Sequence, residues 1–301
     1  MKGKGVPVVS VIIVNYNTVD LTKSCVRSLL DKTENVEFDI SVVDNASTDG
    51  SVAELRREFP GVNVIESKTN VGFARANNVA IRQSTADYLF ILNSDTLLVN
   101  NALKVLAEFM EREENRDVAC CGGCLFDKDM MPVSAYGNFP TLAEIAFKVS
   151  KLKAVFPGYY RQRLASSREC SADRPVRVDY VVGADMFIRK RVLDEIGIFD
   201  EDFFLYFEDT ELSFRMAKNG YRSMIVPEAK IIHLAGRSST DSSKMNTARL
   251  RERSRFLFFR KSYGKGIARL AKALYMVHYG RRLLSGFHRK DREMLGIIWK
   301  A

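Results

Sequence analysis

Several short polar clusters interrupt the apolar runs of this chain: Asn15-Tyr16-Asn17, Asp44-Asn45-Ala46-Ser47, Asn93-Ser94-Asp95 and Glu208-Asp209, with His233 after a later apolar stretch. The third is the most telling. It follows Tyr88–Leu92, which reads as a short strand buried on both faces. An unpaired carboxylate is too costly to bury in such a core. The triplet therefore belongs at the strand's C-terminal end, facing water, a metal or a ligand. Taken alone, it is also what an Asx turn looks like. Glu208 and Asp209 open a predicted helix, where acids interact favourably with the macrodipole whatever else they do.

The elements that must position these clusters alternate. Val8–Val14 is a near-continuous β-branched run, and a helix follows it, with Leu21, Cys25, Leu29 and Leu30 in phase and Asn17 or Thr18 as N-cap. Ile40–Val43 is the second strand. Ser51 and Glu54 have the spacing of a capping box ahead of Val52, Leu55 and Phe59. Val62–Ile65, a helix from Asn70 to about Gln83, and Tyr88–Leu92 complete the first half. Such alternation predicts an α/β fold with a mainly parallel sheet and helices on both faces. Right-handed crossovers place the C-terminal ends of the strands, and hence three polar clusters, along one edge where ligands bind. Further on, Val118–Phe126 and Val178–Ile188 read as strands, and 127–177 as irregular loop because of its prolines and glycines. Arg189–Ile196 and Glu208–Lys218 read as helices, Ile225–Val226 and Ile231–Ile232 as short strand pieces.

Charge divides the chain. From Lys244 onward there are sixteen Lys and Arg against three Asp and Glu, a net +13, which leaves −4 for residues 1–243 out of the total +9. A mildly acidic body with a basic tail points to a polyanionic partner. No apolar run approaches the ~20 residues of a membrane span. Val6–Val14 runs into Asn15 with no cleavage site behind it, so a cytoplasmic protein is expected. The five cysteines are an odd number, which argues for free thiols. Cys121-Gly-Gly-Cys124 has the spacing of half a zinc site, but no second pair follows, and packing within a strand is the simpler reading.

Six stretches in order carry a family resemblance: "VSVIIVNYNT", "SVVDNASTDGS", "NVGFARANNVAI", "FILNSDTLL", "VVGADMFIRKRVLDEIGIFDEDFFLYFEDTELSFRMAKNGYR" and "HLAGRSS". Together they resemble family 2 glycosyltransferases of the GT-A fold, a Rossmann-like architecture, and most of all bacterial rhamnosyltransferases that build cell-surface polysaccharide such as O-antigen. The resemblance spans about residues 7–240. It divides the chain into a catalytic domain, 1–243, and a basic helical tail, 244–301.

The resemblance implies an inverting transfer from a pyrimidine nucleotide sugar (dTDP- or UDP-linked, with dTDP-L-rhamnose the first choice) to a glycan or polyprenyl-diphosphate-linked acceptor. It implies that Asn15, Tyr16, Asp44, Asn70, Gly72, Asn93, Ser94, Gly183 and Ala184 line the nucleotide-sugar site. Tyr16 would stack on the base and Asp44 would accept a hydrogen bond from its N–H. Gly183 and Ala184 would leave room for the sugar. Asp95 and His233 would ligate Mg²⁺ or Mn²⁺ bridging the two phosphates, with Arg237 and Ser238 adding phosphate contacts. Asn93 departs from the family pattern by replacing the first acid of its metal motif, which weakens the expected hold on the ion. Asp209 would be the catalytic base, Glu208 the alternative, with Phe203, Phe204, Tyr206 and Phe207 walling the pocket.

The tail predicts two helices broken near Gly264–Gly266. Ile267, Leu270, Leu274 and Val277 share a face that suits either an anionic membrane surface, on the inner side of the cell membrane, or packing against the catalytic domain. No motif suggests nucleic acid. A nucleotidyltransferase or a non-catalytic membrane scaffold are the rival functions. The loop "NYNTVD" has neither Gly nor Lys/Arg to hold a triphosphate, which counts against the former.

Overall fold

The computed structural model describes residues 8–150, 152–163, 168–170, 173–234, 241–285 and 289–300. In chain order the elements are β1 (Val8–Asn15), α1 (Val19–Lys32), β2 (Glu37–Asp44), α2 (Ser51–Glu58), β3 (Asn63–Glu66), α3 (Phe73–Gln83), β4 (Tyr88–Asn93), β5 (Thr96–Leu98), α4 (Ala102–Glu111), β6 (Val118–Phe126), β7 (Ser134–Gly137), α5 (Leu142–Val149), α6 (Leu152–Val155), α7 (Pro157–Arg163), β8 (Arg168–Glu169), β9 (Val176–Val178), β10 (Tyr180–Val181), β11 (Asp185–Arg189), α8 (Lys190–Ile196), α9 (Glu208–Lys218), β12 (Arg222–His233), α10 (Asp241–Tyr263), α11 (Lys265–Ser285) and α12 (Arg289–Lys300).

Two compact units result: Met1–Gly137 with Ser167–Asp202 and Glu208–Ser238, and Asn138–Ser166 with Phe203–Phe207 and Ser239–Ala301. The first is built on a nine-stranded sheet in the order β3-β2-β1-β4-β11-β6-β12-β5, with β9 beside β12. β3, β2, β1 and β4 are parallel, β11 runs against β4 and β6, and β12 returns parallel to β6. The sheet is thus mainly parallel, as the alternation predicts. The apolar β-branched run of β1 is buried because helices cover both sheet faces: Cys25, Val26 and Leu29 of α1, and Ala76, Ala80 and Ile81 of α3, are buried with it. Tyr88 and Phe187 stack at 5.1 Å where β4 meets β11, a pair worth about 1 kcal/mol beyond its buried area.

Several local expectations are corrected. Ser51 and Glu54 form no capping box. Asp49 accepts from the Ser51 and Val19 N–H groups, while Glu54 pairs with Lys23 at 2.8 Å. Val178–Ile188 is three strands rather than one, because β10 leaves for a small sheet with β7 and β8 before the chain turns at Val182–Asp185. The 127–177 region is not irregular loop, since it contains α5, α6 and α7 and strands β7, β8 and β9. The two strand pieces near the end of the body are one strand, β12, with an irregularity between Ile225 and Lys230. Cys124 and Cys170 are joined as a disulfide, with Cα atoms 5.3 Å apart, so the expectation of free thiols holds only for Cys25, Cys120 and Cys121. Burial raises the thiol pKa of all three, that of Cys25 to about 12.

The second unit has its own core of Ile145, Phe256, Phe259, Ala271, Tyr275 and Ile298. Gly264, at a φ of +90°, separates α10 from α11, as expected. Ile267 and Leu274 pack against this core, whereas Leu270 and Val277 are exposed, so the face expected to act as one is divided. Among the described residues no helix is long and apolar enough to cross a membrane.

The irregularity in β12 brings the Ala229 carbonyl against β6, and a Cβ at Gly123 would stand 2.5 Å from that oxygen. That oxygen belongs to the main chain, so it does not yield cheaply. Gly123→Ala is expected to cost about 1–3 kcal/mol in denaturant unfolding. Gly61→Ala, with nothing within 4 Å, should leave the midpoint nearly unchanged.

Candidate active site

Strand direction gathers the candidate residues. β1, β2, β4 and β12 point the same way and end at Asn15, Asp44, Asn93 and His233. β5 and β11 run the opposite way, so their starts lie at the same edge and carry Asp95 and Gly183-Ala184 just before them. The turn between β4 and β5 is closed by the Thr96 hydroxyl, which donates to the Asn93 carbonyl at 2.7 Å. Antiparallel pairing then sets His233 opposite Thr96. His233 Nε2 comes within 3.2 Å of Asp95 Oδ1 and 3.4 Å of Asn93 Nδ2. Both Asp95 and His233 side chains are largely buried.

Asn93 also ties this corner to the next strand. Its N–H donates to the Ala184 carbonyl at 3.0 Å. One residue earlier, the Gly183 N–H donates to Asp209 Oδ2 at 2.8 Å. The structure therefore brings Asp95 and Asp209, 114 positions apart in the sequence, to one sheet edge, with Asn93 and Asp209 linked by two hydrogen bonds whose donors are main-chain N–H groups. Ala184 is buried and Gly183 lies against the Asp209 carboxylate, so their observed role is to hold Asn93 and Asp209.

Helix α9 is anchored independently. Leu212 and Met216, four apart, are buried in the core. Arg215 pairs with Glu211 at 2.8 Å and donates to the carbonyls of Ile196, Gly197 and Ile198 at the end of α8. At its first turn, Asp209 Oδ1 accepts from the Thr210 N–H and hydroxyl at 2.6 and 3.0 Å. Burial raises the pKa of Asp209 above the ordinary carboxylate value, and these hydrogen bonds pull the other way. Glu208 is buried with Oε2 unpartnered. Its pKa is pushed well up, first by burial and then by the neighbouring Asp209 charge. Of the aromatic run before it, Phe203 is buried, Phe204 is exposed, and Tyr206 and Phe207 take φ of +70° and +69°, a conformation that bulky residues rarely adopt.

The nucleotide-side residues form a hydrogen-bonded layer. Asn15 donates to Asp44 at 2.7 Å and Ser47 at 3.0 Å, and accepts from Thr22 at 2.6 Å and Thr18 at 2.9 Å. Both its amide protons and both carbonyl lone pairs are thereby engaged, and it is fully buried. Asn15 braces Asp44 from behind and has nothing left for a ligand. Asp44 Oδ2 accepts from the Ser47 N–H at 2.9 Å, and Asp44 is itself buried. Asn45, not singled out in the sequence, bonds Asn70 and the Val71 N–H; Asn70 accepts from Gly72, whose φ of +86° suits glycine. Tyr16 alone stands out, 49% exposed beside this layer. Ser94 is held by the Thr18 hydroxyl at 3.2 Å, so Thr18, at the N-cap position of α1, uses its hydroxyl here rather than as a cap. Asp185 is a second residue that the sequence does not single out. It is fully buried, takes the Gly123 N–H on Oδ2 at 2.6 Å and leaves Oδ1 unpartnered, and burial raises its pKa well above the usual range. Arg237 and Ser238 lie outside the described residues.

Among the described residues no three His, Cys, Asp or Glu side chains gather as an ion site. Asp95 and His233 offer one carboxylate and one imidazole beside the Asn93 amide, whose Nδ2 faces the ring. That set is too small to enclose a divalent cation, but fits one whose remaining ligands are diphosphate oxygens and water.

The family model "Glycosyl transferase family group 2" matches residues 88–284, and "Glycosyl transferase family 2" matches residues 10–132. The chain belongs to glycosyltransferase family 2. This glycosyltransferase is 25% identical over 243 residues to an N-acetylglucosaminyl-diphospho-decaprenol L-rhamnosyltransferase of Mycobacterium tuberculosis, with 75% of this chain and 76% of the relative covered. It is 24% identical over 262 residues to the dTDP-rhamnosyl transferase RfbF of Shigella flexneri, covering 84% and 80%. Its fold matches that of GalNAc-T7, solved with UDP, GalNAc and Mn²⁺, at a TM-score of 0.59 and 15% identity; 85% of this chain aligns with half the length of that one. The fold is GT-A, as the sequence motifs imply.

The buried carboxyl of Glu208 gives a test with a definite sign. A pKa raised on folding stabilises the protein below the unfolded value, near 4.5, and that contribution is lost as pH rises through the folded value. Glu208→Gln is therefore expected to raise the unfolding free energy at pH 7. The gain should vanish below about pH 4. Denaturant melts at both pH values measure it, and an equal change at both would refute the assignment.

Proposed function

We propose that this glycosyltransferase moves L-rhamnose from dTDP-L-rhamnose, with inversion, onto a lipid-linked saccharide whose diphosphate anchor is polyprenyl. The observation that carries the reading is the link from Asn93 through Ala184 and Gly183 to Asp209 Oδ2, beside the Asp95–His233 pair. It supports one site with a diphosphate-binding corner and a separate carboxylate. The activities of the two rhamnosyltransferase relatives support the sugar and the acceptor class.

In this reading Tyr16 stacks on the thymine and Asp44, aimed by Asn15, accepts its N–H. Asp95 and His233, assisted by Asn93, would hold Mg²⁺ or Mn²⁺, which would supply positive charge to offset the negative charge developing on the leaving dTDP. Asp209 acts from the other side. A carboxylate has about four lone-pair positions. Thr210 uses two on Oδ1 and Gly183 one on Oδ2, which leaves Oδ2 to take the proton. The acceptor hydroxyl oxygen attacks the anomeric carbon, the bond from that carbon to the diphosphate oxygen breaks, and the hydroxyl proton passes to Oδ2. Desolvation makes Asp209 a stronger base than an exposed aspartate.

Asp209→Asn should lower kcat by about 10²–10⁴-fold. Stabilisation by dTDP with Mn²⁺ should be retained. The acid limb of the wild-type kcat/KM profile should lie above the ordinary aspartate value of 3.8. Transfer from dTDP-L-rhamnose to a synthetic polyprenyl-diphosphate N-acetylglucosamine is the assay. Undiminished turnover in the variant would remove Asp209 from the role of base.

A further inference from the structure

The second unit presents one face that its own core does not use. After α5, the chain forms α6 and α7, and the helical ladder continues across their junction. The Phe156 N–H donates to the Leu152 carbonyl at 2.8 Å and the Tyr160 N–H to the Phe156 carbonyl at 3.1 Å. On this helical stretch Leu152, Val155, Phe156 and Tyr159 are 38%, 66%, 54% and 55% exposed. Their spacing is i, i+3, i+4 and i+7, one face of a helix. Tyr160, on another face, is buried. Tyr159 stacks on Phe147 of α5 at 5.6 Å, which fixes one end of the stripe. Soluble surfaces seldom leave four large apolar side chains together without a partner.

The surrounding sequence identifies that partner by charge. Between Lys148 and Arg163 there are five Lys and Arg and no Asp or Glu. An apolar stripe in a segment of sequence whose charges are all basic matches the interface of an anionic bilayer, where aromatic and aliphatic groups enter the acyl boundary and basic residues are drawn to the headgroups. A second copy of the chain fits worse, since a two-fold contact through this face would bring together two copies of a segment with five basic and no acidic residues in its sequence. The tail helices are less suited to the task. Phe256, Phe258, Phe259, Ala271 and Tyr275 are buried, so most of their apolar surface is already spent.

We propose that Leu152–Tyr159 is the element that inserts this glycosyltransferase into an anionic lipid surface, with the basic tail supplying attraction rather than insertion. This deepens the reading of a lipid-linked acceptor and rests on it only for its purpose; the physical claim stands on the stripe and its charge.

The test uses the full chain and sedimentation with phosphatidylglycerol–phosphatidylcholine vesicles, with phosphatidylcholine alone as reference. The wild type should bind the anionic vesicles, and Phe156→Asp should lower partitioning by about tenfold or more. Because Phe156 is exposed, the variant should keep the wild-type thermal midpoint and its stabilisation by dTDP with Mn²⁺. Loss of that stabilisation along with vesicle binding would overturn the assignment, since the substitution would then act through the fold. A second variant, Phe156→Trp in a Trp299→Phe background, carries a single tryptophan. Its emission should shift to the blue on anionic vesicles and be quenched by brominated lipid. Unchanged emission, or wild-type partitioning in Phe156→Asp, would overturn the proposal. So would Phe156→Asp turning a dimer into a monomer without altering vesicle binding. A wild type that binds vesicles but is not stabilised by dTDP would refute the donor assignment and leave this one intact.

Discussion

The seam between β4 and β11 is the constraint on which the site depends. Parallel strands alone would leave Asn93 at the end of β4 with water as its neighbour. The antiparallel strand beside it presents its start at that end, so the Asn93 N–H meets the Ala184 carbonyl and Gly183 is left free to reach Asp209. Stacked Tyr88 and Phe187 hold the seam from within. In the proposed reaction one group holds a cation and another receives a proton, tasks that gain from rigid separation. A main-chain path of two hydrogen bonds supplies it with little side-chain freedom left to restrict.

Neutral groups, not cations, hold Asp44 and Asp209 in place. Asp44 is held by an amide and a main-chain N–H, Asp209 by a hydroxyl and two main-chain N–H groups. Hydrogen bonds to ionised groups contribute about 1.5–3 kcal/mol each. Glu208 and Asp185 lack such support at one oxygen, and burial favours their neutral forms.

Much of this was legible in the chain because parallel sheets announce themselves: β1, β4 and β6 are continuous apolar runs, and polar residues gather where those runs stop. Helix α9 and its stop at Gly220 followed from periodicity and a glycine at φ of +86°. What escaped was whatever depended on distant partners. Ser51-x-x-Glu54 looked like a capping box, yet Lys23 and Asp49 offered stronger contacts. Thr141-x-x-Glu144 carries the same signal amid prolines and does start a helix, the Glu144 N–H donating to the Thr141 hydroxyl at 3.2 Å. Alternation could not show that the run Val178–Ile188 changes sheets. The pairing of Cys124 with Cys170 closes 46 residues of sequence, beyond any local pattern. Its place in a family motif makes Asn15 a contact residue, but bonds to Asp44, Ser47, Thr18 and Thr22, distant in part along the chain, exhaust its side chain.

Gly183 holds Asp209 through a peptide N–H rather than through a side chain. That donor is common to nineteen of the twenty genetically encoded amino acids, so drift at codon 183 crowds the carboxylate while leaving the donor itself in the chain. Proline is the exception, because its ring nitrogen carries no hydrogen. The orientation of the carboxylate is thus written into the path of the backbone, where point substitutions seldom reach.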